Sequence, residues 1–211
     1  MNLIPSESVG SVPRSRELQE AMAAFSQGNL PEREMNKYFD EAVKDTIHRM
    51  KNTGSPIISD GEQTKSSFVT YPLDGLTNLA SDGISIPFED GHTRQLPKLT
   101  KGPFHYSTYA GSYLPRAKKY TTLPLKQAVI SASAMSLLYP SEGLADYTQQ
   151  QFIIDLVNQS VADIRSCFDN GAHHVQVDFT EARLAIKLDP SKALLKQFID
   201  LNNQVLSNFS Y

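Results

Sequence analysis

The chain contains PIISDGE at residues 56–62 and HVQVD at residues 174–178, two short apolar runs that each end in a carboxylate. Each run is typical of a buried parallel strand that presents an acid at its carboxyl end. Barrels and open sheets of the α/β class place their chemistry at this edge. We therefore expect Glu62 and Asp178 to mark a functional site.

Helical and strand patterns alternate along most of the chain. The sequence predicts helices at residues 15–26, 31–54, 147–170 and 191–208, and strands at residues 3–9, 56–59, 125–130 and 175–179. These segments form about four βα units, which predict a parallel sheet with right-handed crossovers. A closed (β/α)8 barrel needs eight such units and about 250 residues. We therefore expect an α/β fold equivalent to a partial TIM barrel.

The composition changes between the second and third predicted strands. Residues 71–124 are rich in Gly, Pro and Tyr, and apolar residues flank a turn at Asp90-Gly91. This pattern predicts an inserted β-hairpin segment. A chain of 211 residues with 40% hydrophobic content suffices for one core and does not require two. We therefore interpret residues 1–211 as a single domain with an insertion at residues 71–124.

Charge and hydropathy exclude several classes of partner. A net charge of -3 without a long basic run gives no electrostatic footprint for nucleic acid. No apolar stretch approaches the roughly 18 residues of a membrane span. The first residues lack the basic and apolar regions of a secretion signal, and the single Cys167 cannot form an internal disulfide. These features predict a cytoplasmic protein without nucleic-acid or membrane partners.

Four motifs follow one another along the chain. They are VGSVPR at residues 9–14, ISDGE at residues 58–62, VISASAM at residues 129–135 and VQVDFTE at residues 175–181, and the insertion adds DGHTR at residues 90–94. In this order they resemble the catalytic domain of the cobalamin-independent methionine synthase family. More narrowly, the chain resembles the single-domain branch that includes the epoxyalkane:coenzyme M transferases. It looks like the N-terminal half of such a domain.

The resemblance implies a (β/α)8 barrel and a zinc ion that binds a substrate thiol as thiolate. Coordination to zinc removes the thiol proton while the sulfur stays reactive. Family members use a His-x-Cys pair and a further Cys as ligands, and neither accompanies Cys167 here. We therefore expect zinc as the cofactor, its ligands outside this chain, and no metal site within it.

The resemblance also implies which residues bind the substrate. The backbone at Val9, Gly10 and Ser11 would receive an amino acid carboxylate, because backbone N–H groups approach a ligand closely at glycine. Glu62 and Asp178 would bind the ammonium group of homocysteine. The two acids favour an amino thiol over coenzyme M, which carries a sulfonate and no ammonium.

Simpler interpretations stay open for several of these residues. Residues 60–62 also fit an ordinary strand-to-loop turn. A buried, unpaired Asp178 would be costly, so either an arginine or a ligand should pair with it. Glu181 and Arg183 fit either a structural ion pair or, together with Asp60, a secondary role in the site.

Three functions are consistent with the sequence. The resemblance implies transfer of a methyl group from methyltetrahydrofolate to homocysteine, in methionine biosynthesis, with this chain inactive alone for lack of zinc ligands. A second possibility is an epoxide:thiol transferase or lyase of the coenzyme M type. A third is a truncated or split-gene half-barrel without catalytic activity. Unpaired strand edges predict a homo-oligomer or assembly with a complementing C-terminal half.

Overall fold

The computed structural model describes residues 6–87 and 93–210. Their contacts divide the chain into two compact units. The first lies within Met1–Phe68, Ala110–Ala128 and Ser166–Gln176, and the second within Val69–Tyr109, Val129–Arg165 and Val177–Tyr211.

The first unit is built around two helices of the N-terminal region, α1 (Arg16–Ser26) and α2 (Glu32–Asn52). Ser15 caps α1, because its hydroxyl accepts a hydrogen bond of 3.2 Å from Leu18 N. Buried Leu18 and Ala21 of α1 pack against Met35 of α2. A 3-10 turn at Ala110–Tyr113 leads into the short helix α3 (Leu114–Lys118), which contacts α2. Apolar spacing on α1 and α2 therefore produces this core.

The second unit combines short antiparallel ladders with helices. Strand β1 (Leu79–Ala80) pairs with β4 (Lys98–Leu99), and β2 (Ser85–Pro87) pairs with β3 (Thr93–Gln95). A 3-10 turn lies at Tyr71–Leu73. The helices α4 (Ala132–Ser136), α6 (Ala182–Leu188) and α7 (Ala193–Leu206) follow, and α7 contacts both of the others.

Two strands and one long helix contribute residues to both units. They are β5 (Lys126–Ile130), β6 (His174–Asp178) and the helix α5 (Gln149–Asp169). Strands β5 and β6 form a parallel pair, since His173 N donates to Leu125 O before the strands and Ser131 N donates to Asp178 O at their other end. A parallel bridge joins Ile58 to Leu125, the residue that precedes β5. The parallel βα arrangement is confirmed.

The first two predicted strands, at residues 3–9 and 56–59, are not formed as the sequence predicts. Residues 56–59 make only the bridge at Ile58, because the chain turns at Asp60 into a loop with left-handed backbone at Gly61 and Glu62. Residues 6–9 form no strand, and residues 1–5 lie outside the described part of the chain. A half-barrel with four strands therefore stays a prediction.

The hairpin predicted in the insertion is present as the β2–β3 pair. Its turn at Asp90-Gly91 lies outside the described residues. The boundaries of the insertion and the single-domain assignment stay predictions. Among the residues that the structure describes, no helix is both long and apolar enough to span a lipid bilayer.

Candidate functional site

The candidate site in the first unit is built on the loop that follows Ile58. Ser59 Oγ accepts a hydrogen bond of 3.1 Å from Gly61 N, and Asp60 Oδ1 accepts one of 2.9 Å from Glu62 N. Short polar side chains that bond to the backbone two residues further on favour tight turns. Gly61 and Glu62 follow with φ of 63° and 56°. The local sequence thus forms a tight turn at residues 59–62, and this turn sets the orientation of the Glu62 side chain.

Glu62 is the residue of this loop with the most informative surroundings. It is 3% exposed, and its Oε2 accepts a hydrogen bond of 2.9 Å from the Ser11 hydroxyl. Its Oε1 is buried and has no hydrogen-bond partner within the described ranges. A buried polar atom without a partner costs about 1–3 kcal/mol, and more when the group is charged. A cationic group of a ligand could therefore donate the hydrogen bond that Glu62 Oε1 lacks.

The segment at residues 9–14 lies against this loop. Val12 N donates to Gly61 O over 3.1 Å, and the Gln63 amide donates to Val12 O over 3.0 Å. Gly10 lies so close to Glu62 that a Cβ added to it would be 3.2 Å from Oε1. Three predicted site residues, Gly10, Ser11 and Glu62, are therefore brought together by backbone pairing between the two segments.

Val9 has a different environment from its neighbours. Its side chain is 81% exposed, and its carbonyl accepts a hydrogen bond of 2.5 Å from the Gln176 amide. The largely buried Lys126 ammonium lies beside the same segment, where it contacts Glu7 Oε2 at 3.0 Å and Gln176 Oε1 at 2.9 Å. These contacts anchor the residues before Gly10 to the first residue of β5 and the middle of β6.

Arg14 ends the VGSVPR motif at residues 9–14, but the sequence predicted no role for it. Its guanidinium donates to Glu62 O at 2.9 Å, to Gln63 O at 3.1 Å and to Lys65 O at 2.5 Å. Burial lowers the pKa of Arg14, and the charge of Glu62 opposes this effect. The carbonyl partners lie about fifty positions away in sequence, so no local pattern reveals them.

Asp60 and Lys65 complete the buried charges of the loop. Burial raises the pKa of the Asp60 carboxyl, while its hydrogen bond from Glu62 N and the charge of Lys65 lower it. Asp60 Oδ2, like Glu62 Oε1, lacks a hydrogen-bond partner among the described residues. Lys65 is 1% exposed and donates to Ala128 O over 2.7 Å. Sequence reasoning gave Asp60 a secondary role and missed Lys65.

Asp178, the second predicted acid, belongs to the second unit. It ends β6, its side chain is half-buried, and its backbone carbonyl accepts a hydrogen bond of 3.3 Å from Ser131 N. The expected position at the carboxyl end of a parallel strand is confirmed. Joint binding of one cation by Asp178 and Glu62 stays a prediction.

A buried carboxylate of the second unit lies three residues after Asp178. Glu181 is 4% exposed, and its Oε1 accepts hydrogen bonds from the hydroxyls of Ser131 and Ser133. Asn202 of α7 donates to Ser133 Oγ over 2.7 Å. Burial raises the pKa of Glu181 despite these hydrogen bonds. The carboxylate thus has two hydroxyl partners, and Arg183 is exposed. The ion pair between Glu181 and Arg183 stays a prediction.

The described side chains do not fit a zinc ion. Across residues 6–87 and 93–210, no group of three or more His, Cys, Asp or Glu side chains could hold a metal. Cys167 is fully buried within α5. His173 and His174 have ring centroids 4.9 Å apart but no third ligand within the described chain. No chemical step through a metal is therefore assigned to these residues.

Comparison with known proteins gives short sequence matches. No protein-family model matches the chain. A methionine synthase of Sulfurisphaera tokodaii is 28% identical over 69 residues, which is 33% of this chain and 20% of that protein. A 5-methyltetrahydropteroyltriglutamate–homocysteine methyltransferase of Lactococcus lactis subsp. cremoris is 26% identical over 76 residues, or 35% of this chain and 10% of that protein.

Solved structures match the chain over nearly its whole length. A protein of Listeria monocytogenes described as a vitamin-B12 independent methionine synthase gives a TM-score of 0.71 at 19% identity, covering 100% of this chain and 64% of that one. A B12-independent methionine synthase from Shewanella sp. W3-18-1, in complex with selenomethionine, gives 0.73 at 18% identity, covering 99% and 60%. The fold is therefore that of methionine synthase domains, of which the chain spans less than two thirds. The sequence matches and the solved structures are thus methionine synthases or homocysteine methyltransferases.

Proposed function

We propose that this chain binds an amino thiol of the homocysteine type and provides the substrate side of a methyltransferase related to methionine synthase. The Glu62 carboxylate binds the ammonium group of the substrate. The backbone and hydroxyl at Gly10 and Ser11 bind its carboxylate.

One observation supports this assignment above the others. Glu62 is buried, its Oε2 is satisfied by Ser11, and its Oε1 has no donor among the described residues. An ammonium group supplies a charge-assisted hydrogen bond to such an oxygen, and these bonds are about twice as strong as neutral ones. A sulfonate would place a second anion there, so the site favours an amino thiol over coenzyme M.

The reaction that we propose for the whole protein is a methyl transfer. The bond between N5 and the methyl carbon of methyltetrahydrofolate breaks, and a bond between that carbon and the homocysteine sulfur forms. The homocysteine thiol loses its proton as the methyl group takes its place on sulfur, and N5 of the folate product gains a proton. In this reaction Glu62, Gly10 and Ser11 hold the amino acid end of the substrate, and a zinc ion held by ligands outside this chain would stabilise its thiolate.

Calorimetric titration with L-methionine, the product, tests the binding role without requiring methyl transfer. The desamino analogue of methionine lacks the ammonium but keeps the carboxylate and thioether. We expect Glu62→Gln to weaken L-methionine binding at least about tenfold, because the charge-assisted bond is lost. The same change should leave binding of the analogue nearly unaltered, and Glu41→Gln on the exposed side of α2 should alter neither.

Two results would contradict the proposal. One is the absence of L-methionine and L-homocysteine binding to the parent chain. The other is a Glu62→Gln variant that binds L-methionine and its desamino analogue more weakly by the same factor, which would indicate a structural role for that residue. Preferential binding of coenzyme M would instead support the epoxide:thiol transferase.

We further propose that the chain associates with a second copy or with a chain that completes the barrel. Ile186 and Leu188, on and at the end of α6, are 45% and 56% exposed. Apolar side chains left in water favour association when they can be covered. Sedimentation velocity measures this directly, and a monodisperse monomer across the concentration range would contradict it.

A further inference from the structure

We infer that Arg14 is a positioning residue for the proposed amino-thiol site, holding Glu62 in the backbone conformation that directs its carboxylate. The inference rests on the function proposed above. It assigns Arg14 no contact with substrate. Its effect on binding is exerted through Glu62.

The conformation of Glu62 needs such support. Its φ of 56° lies in the left-handed region, which residues with a Cβ rarely occupy. A non-glycine residue there costs on the order of 1 kcal/mol or more and persists only when its surroundings enforce it. Glu62 is 3% exposed, so the strained residue is also one whose side chain cannot relax into solvent.

Charged side chains hold both backbone polar groups of Glu62. Asp60 Oδ1 accepts a hydrogen bond of 2.9 Å from Glu62 N, and Arg14 Nη2 donates one of 2.9 Å to Glu62 O. The first contact is local, because Asp60 lies two residues before Glu62. The second comes from the separate segment that carries Gly10 and Ser11. Arg14 therefore fixes the loop relative to the residues that complete the site.

The planar shape of the guanidinium suits this task. It donates to Gln63 O at 3.1 Å and to Lys65 O at 2.5 Å in addition to Glu62 O. Three carbonyls of one short loop are thus held by a single rigid group with five donors. A lysine ammonium is a compact point charge on a flexible stem and cannot reproduce this fork.

The choice of acceptors also preserves the ligand-binding capacity of Glu62. Arg14 donates to the Glu62 carbonyl, whereas the carboxylate receives its hydrogen bond from Ser11. A guanidinium paired with the carboxylate would occupy both oxygens. With the guanidinium committed to backbone, Oε1 stays available for an ammonium group. Arg14 thus positions the carboxylate without neutralising it through a direct ion pair.

The test compares Arg14→Lys with Arg16→Lys, a change at an exposed arginine that pairs with Glu20 on α1. Calorimetry measures the Kd of L-methionine and of its desamino analogue. We expect Arg14→Lys to weaken L-methionine binding about tenfold, as expected from the loss of one or two hydrogen bonds that orient the acid. Binding of the analogue should change less than threefold, and Arg16→Lys should change neither.

A double variant separates positioning from general destabilisation. In Arg14→Lys/Glu62→Gln, L-methionine should bind no more weakly than in Glu62→Gln alone, because Arg14 acts through that carboxylate. Three results would overturn the inference. They are additive losses of L-methionine affinity in the double variant, equal weakening of L-methionine and analogue binding by Arg14→Lys, and parent-like binding by Arg14→Lys. If the parent chain fails to bind L-methionine, or Glu62→Gln binds it normally, the proposed function fails and the inference fails with it. Parent-like Arg14→Lys beside an impaired Glu62→Gln overturns the inference alone.

Discussion

The Ser11 hydroxyl donates a hydrogen bond of 2.9 Å to Glu62 Oε2, across a separation of 51 positions in the sequence. The contact satisfies one oxygen of a buried carboxylate and leaves Oε1 without a donor among the described residues. A backbone hydrogen bond from Val12 N to Gly61 O holds the two segments together beside it. In the function that we propose, substrate recognition depends on the close approach of the two backbones at this point.

Gly10→Ala tests this close approach. The added Cβ would lie 3.2 Å from Glu62 Oε1, which requires the carboxylate to move by a few tenths of an ångström. We expect L-methionine to bind about tenfold more weakly, because ligand orientation depends on that oxygen. Urea unfolding should change by less than about 1 kcal/mol, since the displaced atom belongs to a side chain. Parent-like affinity would show that the carboxylate does not need its observed position.

Gly61→Ala should damage the fold itself. Gly61 has φ of 63°, and a Cβ there would lie 2.5 Å from Val12 Cγ2 and 2.9 Å from Thr46 Cγ2. Strain and overpacking together predict a loss of about 3 kcal/mol in unfolding free energy.

Gly28→Ala is the matched control for this change. Gly28 has φ of 74°, but nothing lies within 4 Å of a Cβ at that position. Only the backbone cost of about 1 kcal/mol should therefore remain. Equal losses in the two variants, measured by urea denaturation, would rule out the steric contact as the cause.

The four long helices and the positions of the acids could be predicted from the sequence because both depend on local patterns, whereas the short helices α3, α4 and α6 were not predicted. The apolar spacing of α2 and α5 and the polar residues after each apolar run gave these elements within a few residues of their observed bounds. The strand at residues 56–59 was overestimated. An apolar run specifies burial, whereas a strand also needs a neighbour, and Ile58 pairs only at Leu125 in the described sheet.

The partners of the site residues could not be predicted for a different physical reason. Arg14 donates to carbonyl groups, which every residue carries, so its targets leave no signature in sequence. The contacts of Glu181 with Ser131 and Ser133 depend on how the ends of β5 and β6 meet. Ser131 and Ser133 belonged to a recognised motif, but their roles required the three-dimensional structure.

Tyr71→Phe should destabilise the second unit. Tyr71 is fully buried, its hydroxyl donates to Asp163 Oδ2, and it accepts a hydrogen bond of 3.4 Å from Ile130 N. Removal of the hydroxyl takes a donor from a buried carboxylate, for which we expect a loss of about 2 kcal/mol in unfolding free energy. Tyr38→Phe is the control, because Tyr38 is 38% exposed and its change should stay within about 0.5 kcal/mol. Chemical denaturation of both variants checks the prediction, and equal values would contradict it.

Glu181→Gln should change the pH dependence of stability. Burial raises the pKa of Glu181 in the folded chain above its unfolded value of about 4.3. The folded state therefore binds this proton more tightly than the unfolded state, which favours folding below the unfolded pKa. That contribution is lost as pH rises through the folded pKa, where the buried group must ionise. Glutamine stays neutral and lacks this loss.

The parent chain should consequently lose more unfolding free energy than Glu181→Gln as pH rises from about 4 towards 8. Burial also raises the pKa of Asp60, which adds a loss of the same sign to both proteins and cancels in their difference. Urea denaturation at several pH values gives the two curves. Curves that stay parallel would contradict a raised pKa at Glu181. A difference that grows with pH would support burial as the cause that favours the neutral acid, against the opposing hydrogen bonds from Ser131 and Ser133.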